Sequence, residues 1–195
     1  MLLKPVAEGY QKAVPSLIRA GVGNVFSNVG DAWSSVNHLL QGHVQSSLEM
    51  GTRFLANTTL GLGGVLDPAS EMGLERKRED FGQTLGVWGV PAGPYFVIPF
   101  LGASSVRDGL AFTLDREASL GNLFTDRKYI NWLTGLELVQ VRADLLPATR
   151  MIDQIALDKY SFVRDAYLAR RLSLVYDGNP PEPDAEPAKA APVPK

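Results

Sequence analysis

The chain contains no cysteine. That absence excludes disulfides, thiol catalysis and the common cysteine zinc sites. Histidine is almost missing too. His38 and His43 are the only two, and Gly42 between them breaks the i, i+4 spacing of a helical metal pair, so they read as polar residues at a helix end. There is no basic excess: the formal net charge is -2, which gives no general attraction to nucleic acid. No Gly-x-Ser-x-Gly elbow of the serine lipases is present. Gly61-Leu62-Gly63-Gly64 lacks both the third glycine of a dinucleotide loop and the Gly-Lys-Ser/Thr ending of a P-loop, and reads as a flexible connection. Glu79 and Asp80 sit side by side in a charged block, where solvation accounts for them better than acid–base work. Nothing here implies a cofactor, a metal or an enzyme.

Charge itself is missing from one long stretch. From Phe81 to Val106 there is no Asp, Glu, Lys, Arg or His, yet Pro91, Pro94 and Pro99 and the glycines at 82, 86, 89, 93 and 102 interrupt the run. A spanning helix needs roughly 20 uninterrupted apolar residues, and proline removes a helical hydrogen bond and clashes with the preceding turn. Irregular apolar backbone is therefore either buried in protein or held at membrane depth with its polar groups covered. Phe54 to Leu66 is a shorter run of the same kind. Between the two lies Glu75-Arg76-Lys77-Arg78-Glu79-Asp80, expected to be a solvated turn facing water, with contact to anionic headgroups as the other reading.

What is present is mostly helical pattern. With 195 residues, 45% of them hydrophobic, the chain can build one domain with a sizeable core. Leu3 to Gln11 carries Pro5 in its first turn. A second helix opens at Pro15 and Ser16, with Leu17, Ile18, Val22, Val25, Phe26 and Val29 on one stripe expected to face the core. Gly30 ends it, and Asp31 caps a third helix that brings Trp33, Val36, Leu39 and Leu40 together before Gly42. A fourth runs from Val44 to Thr58 with Leu48, Phe54 and Leu55 inward. Gly61 to Met72 reads as a loop. Asp80 with Gln83 forms a capping box for a short helix, Phe81 to Trp88, that Gly89 stops. Val90 to Ala103 reads as a hairpin-like loop, with Tyr95-Phe96-Val97-Ile98 extended. Ser105 with Asp108 caps a helix to Ala118, and Asp126 caps a long one ending at Pro147. Ala148 to Leu157 and Tyr160 to Leu174 complete the set. Residues 179–195, rich in Pro and Ala, are expected to be disordered. The fold class is all-α, with one irregular apolar insertion in a domain spanning 1–178.

Several motifs, in order, resemble the MlaA/VacJ family of outer-membrane lipoproteins. They are Leu3-Lys4-Pro5-Val6-Ala7-Glu8-Gly9-Tyr10, Phe26-Ser27-Asn28, Leu39-Leu40-Gln41-Gly42, Phe54 through Ser70, Glu79 through Val90, Gly93-Pro94-Tyr95, Pro99, Arg107-Asp108-Gly109 and Tyr160 through Tyr167. The resemblance covers about residues 2 to 175. It implies a ring-like domain of about seven to eight helices in the inner leaflet of the outer membrane, with an amphipathic channel by which phospholipids leave the outer leaflet. Members begin with a secretion signal and a lipidated cysteine; here Met1 directly precedes the Leu-Lys-Pro motif, so a trimmed or mis-started form is expected.

The implied partners are phospholipid, a trimeric outer-membrane porin and a soluble periplasmic lipid carrier. Residue chemistry alone lets Phe81, Leu85, Trp88, Tyr95, Phe96, Ile98 and Phe100 pack as core around a loop. The resemblance implies that they face lipid, where Trp and Tyr favour the interfacial level. It also implies a hinge at Gly89-Val90-Pro91-Ala92-Gly93, in which Pro91 departs from more glycine-rich versions and fixes one φ angle. The rival reading is a soluble structural or adaptor domain without lipid transport.

Overall fold

The computed structural model describes residues 3–99, 101–156 and 158–181. Among the described residues it has nine helices and a two-stranded hairpin: α1 (Leu3–Ala13), α2 (Ser16–Leu40), α3 (Val44–Thr59), α4 (Pro68–Glu71), α5 (Phe81–Val87), β1 (Tyr95–Ile98), β2 (Gly102–Ser105), α6 (Val106–Glu117), α7 (Arg127–Asp144), α8 (Leu146–Ile155) and α9 (Lys159–Val175). A single 3-10 turn, Leu120–Leu123, precedes α7. The fold is all-α with one irregular apolar insertion, as the pattern requires. The helix starts obey their caps. Asp80 accepts from the Gln83 amide at 2.9 Å, Ser105 from Asp108 at 3.3 Å and Asp126 from Lys128 at 2.8 Å. The apolar insertion forms the hairpin, with Tyr95 opposite Ser105 and Ile98 opposite Gly102.

One expected boundary does not exist. α2 runs without a break through Gly30 and Asp31 to Leu40, and Gly42, at φ +83°, ends it. Glycine inside a helix costs only about 1 kcal/mol. Asp31 does not cap, because its carboxylate is claimed by two arginines from elsewhere in the chain. The loop expected over Gly61 to Met72 contains the four-residue α4, capped by Asp67.

The larger correction concerns which faces are inside. The stripe expected to face the core does so only in part: Val22, Val25, Phe26 and Val29 are half-buried, as are Trp33 and Phe54, but Leu17 is 80% exposed, and Ile18, Val36, Leu39, Leu40, Leu48 and Leu55 are exposed as well. The buried face of α2 is instead Gly21, Asn28, Asp31, Ser34, Asn37 and His38, and that of α3 is Ser47, Met50, Arg53 and Asn57. Helix amphipathicity is present, but reversed. The fully apolar core is small, built from Ala7, Ala143 and Leu146 with Tyr10 packed against them. Polar contacts join the buried faces of these helices. Asn28 donates to Thr58 Oγ1 at 2.8 Å, Ser35 to the Ser47 carbonyl at 2.7 Å, and Thr84 to Asn37 Oδ1 at 2.8 Å. A hydrogen bond sheltered from water is electrostatically stronger than an exposed one.

The charged block is a solvated turn only in part: Glu75, Lys77 and Arg78 are exposed, but the rest is engaged. Arg76 lies against Asp31 and Asp67, Lys77 against Glu49, and Glu79 is buried. His38 is buried too, its Nε2 3.2 Å from the Lys77 carbonyl. The disordered tail expected over 179–195 falls almost wholly outside the described residues.

Candidate functional site

Two ion networks fix the frame around which the site is built. In the first, Arg53, fully buried on α3, donates through Nε to Asp31 Oδ2 at 3.2 Å and through Nη2 to both oxygens of Asp67 at 2.9 and 3.0 Å. Arg76 closes the set, 2.9 Å from Asp31 Oδ1 and 3.3 Å from Asp67 Oδ2. Two guanidiniums and two carboxylates sum to zero charge, which makes burial affordable. Burial pushes the Asp67 carboxyl up, but hydrogen bonds from Ser70 and Asn57 and the charges of Arg53 and Arg76 outweigh it and hold it at about 2. At Asp31 burial wins, and its carboxyl is raised against the pull of the same arginines.

The second network joins three motifs far apart in sequence. Arg171 on α9 forks onto Asp80 at 2.5 and 2.8 Å and onto Asp108 at 2.9 Å. Asp108 also accepts from Arg107 Nε at 2.9 Å and from the Tyr167 hydroxyl at 2.6 Å. Burial and the Asp108 carboxylate push the Tyr167 phenol up to about 12. The two glycines of α5 exist to let this happen: a Cβ on Gly82 would lie 2.6 Å from Asp108 Oδ1, and one on Gly86 2.7 Å from Arg107 Nη1.

The hairpin hangs from this second network. The Val106 and Arg107 amides donate to the Pro94 and Ala92 carbonyls at 3.1 Å, and Arg107 Nη1 donates to Val90 O at 3.3 Å. Tyr95 makes edge contacts with Tyr160 and Tyr167 of α9.

Two cavities open inside this frame. A polar one of about 710 Å³ lies between α2, the start of α5 and α7, with Arg19, Arg78, Glu79, Gln140 and Asp144 on its walls. An apolar one of about 730 Å³ is enclosed by α6 to α9 and the hairpin, walled by Phe112, Leu138, Leu145, Ile152 and Val163 with charged residues among them. Glu137 and Val141 of α7 line both, so a polar and an apolar space meet along one helix. Burial raises the Glu137 carboxyl, with Arg116 opposing. Burial also raises the Glu79 carboxyl to about 7, helped by Asp80 and Asp177 and opposed by a hydrogen bond from Gln41. No helix among the described residues is long and apolar enough to cross a membrane, and none of their His, Asp and Glu clusters could hold a metal ion.

A family model described as MlaA lipoprotein matches residues 1–173. The chain belongs to the MlaA lipoprotein family. Among curated relatives, the intermembrane phospholipid transport system lipoprotein MlaA of Escherichia coli (strain K12) is 32% identical over 199 residues, covering 95% of this chain and 74% of that protein. An uncharacterised protein of Rickettsia prowazekii is 33% identical over 181 residues, covering 92% of this chain and 72% of that one. A solved structure, described under "Structural basis for maintenance of bacterial outer membrane lipid asymmetry", superimposes with a TM-score of 0.76 at 31% identity, over 91% of this chain and 88% of the other.

The structure places the membrane-facing candidates of this MlaA family chain unevenly. Trp88 and Phe96 are exposed, at 55% and 40%. Phe81, Leu85, Tyr95 and Ile98 are half-buried, Phe81 meeting Trp88 edge to face. Phe100 lies outside the described residues. Phe96 leans on Gly109, where an added Cβ would lie 2.8 Å from the ring, which explains the glycine of the Arg107-Asp108-Gly109 motif. Gly89 and Gly93 adopt φ of +88° and +70°, the left-handed region that glycine allows, with exposed Pro91 between them. Sequence reasoning assigns Asp31 to a cap and Arg76 to a solvated turn, and singles out neither Arg53 nor Arg171. A charged residue on the otherwise uncharged side of a helix, such as Arg53 ahead of Phe54 to Leu66, was the available signal.

Proposed function

We infer that this chain is an outer-membrane phospholipid transport protein that maintains lipid asymmetry by removing phospholipids from the outer leaflet. The observation that carries the reading is the reversed amphipathicity: a hydrogen-bonded polar interior beneath an apolar exterior. In water such a distribution leaves many large side chains exposed without recompense. In lipid it is the ordinary arrangement. The resemblance to a phospholipid transport lipoprotein and to a structure concerned with lipid asymmetry supports it.

The mechanism breaks no covalent bond. A phospholipid leaving its leaflet carries a charged headgroup past hydrocarbon, which costs many kcal/mol if the charge is unpaired. Adjoining polar and apolar spaces lower that barrier, one for the headgroup and one for the chains. We place the domain in the inner leaflet, beside a porin trimer and within reach of a soluble periplasmic carrier, with the lipid-facing edge at Trp88 and Phe96 and the hinge at Gly89 to Gly93. The test is the double variant Trp88→Asp, Phe96→Asp in the complete protein. Loss of membrane retention and of lipid asymmetry is expected. Normal retention and asymmetry would rule out a lipid-facing hairpin.

A further inference from the structure

The polar cavity holds charges of both signs that do not neutralise one another. Arg19 and Arg78 both line it, and among the described residues neither has a carboxylate oxygen within 4.0 Å. Arg19 Nε donates to the Val14 carbonyl at 3.1 Å and Arg78 Nη2 to Ser27 Oγ at 2.7 Å, so each is oriented by a neutral acceptor with donors to spare. Asp144, at the end of α7, lines the same cavity and has no cation within 4.0 Å. Its two oxygens accept only from Gln140 Nε2, at 3.1 Å each, and Gln140 is held in turn by the Tyr10 hydroxyl at 2.8 Å.

The remaining acids on that wall are engaged elsewhere: Asp80 with Arg171, Glu137 with Arg116 and Glu79 with Gln41. Arg78 and Asp144 are exposed and Arg19 is half-buried, so opposite charges held apart on this wall keep a solvent-screened attraction for a ligand that carries the complementary pair. The apolar cavity, which shares Glu137 and Val141 with the polar one, offers space for hydrocarbon attached to that ligand.

We propose that the polar cavity is a headgroup site selective for zwitterionic aminoalkyl phosphodiesters, with Arg19 and Arg78 taking the phosphate and Asp144 the ammonium. This rests on the phospholipid-transport reading and adds a selectivity to it. A glycerol headgroup offers Asp144 no cation and brings a net negative charge toward it. Phosphatidylethanolamine is therefore held in preference to phosphatidylglycerol.

The test is native mass spectrometry of the full chain in mild detergent with equimolar phosphatidylethanolamine and phosphatidylglycerol of identical acyl chains. Ethanolamine lipid should be favoured about fivefold, the scale of one solvated charge pair. Asp144→Asn should bring the ratio to about one while total bound lipid is kept. The double variant Arg19→Gln, Arg78→Gln should lower the occupancy of both lipids. Melting temperatures close to that of the unsubstituted chain show that the variants fold. Equal occupancy in the unsubstituted chain, or an unchanged ratio in Asp144→Asn with lipid still bound, overturns the selectivity and leaves transport standing. Binding of neither lipid overturns transport itself and the selectivity with it. Soluble glycerophosphoethanolamine, lacking acyl chains, should bind far more weakly; binding equal to the lipid's would reassign the cavity to a free phosphodiester and overturn the proposal.

Discussion

Glu79 shows how burial of a single side chain makes stability depend on pH. Its carboxyl is raised to about 7 from 4.5, chiefly by burial. A folded-state value above the unfolded one means stability fully present below about pH 4.5 and lost as pH rises through 7. The shift corresponds to about 3 kcal/mol at most. Melting temperature in detergent should fall between pH 5 and 8, and Glu79→Gln should flatten that slope; an equal slope in the variant would mean that another group titrates. Asp67 has the opposite sign. Held at about 2, it supports the fold above its unfolded value near 4, and that support is lost as pH falls toward 2. Arg53 carries a larger effect. Arg53→Met leaves the buried Asp31 with Arg76 alone, and a loss of about 3 kcal/mol or more is expected, read as a fall in unfolding midpoint.

Among the elements, α5 is the one whose sequence is fully explained by its neighbours. Asp80 caps it and pairs with α9, Gly82 and Gly86 admit the Asp108 and Arg107 side chains, and Trp88 donates to the Leu40 carbonyl at 3.2 Å. Gly82→Ala should push α5 away from α6 and α9 at a cost of about 1–3 kcal/mol. Hydrogen exchange should then quicken in all three helices together; quickening confined to α5 would show that the network adapts locally. This element was legible in sequence because its signals are local: a capping box, a stop glycine, a proline-broken run. The boundary at Gly30 was misread because the decisive fact is tertiary. Asp31 has the residue type of a cap, and only the fold brings Arg53 and Arg76 to it. The apolar stripe of α2 has the expected period but only its middle, Val22 to Val29, is half-buried while Leu17 and Ile18 are exposed, since periodicity reports a two-faced helix and says nothing about what covers each turn. Arg171 was hidden for the same reason as Asp31, its partners lying on α5 and α6.

At the scale of the whole molecule, the three tryptophans report on inside and outside. Trp33 Nε1 donates to Asp115 Oδ1 at 2.7 Å in the interior, whereas Trp132, on α7, is 72% exposed and Trp88 55%. In lipid vesicles with brominated acyl chains, single-tryptophan variants keeping Trp132 or Trp88 should be quenched strongly and one keeping Trp33 weakly. Weak quenching of Trp132 and Trp88 alike would contradict an apolar exterior covered by lipid.

The reversed α2 and α3 also bear on how the chain travels. Collapse in water cannot bury the exposed Leu17 and Leu48 faces without unmaking the Asp31–Arg53 seam on the opposite sides of the same helices. Any aqueous stage therefore leaves those exposed leucine faces open to self-association.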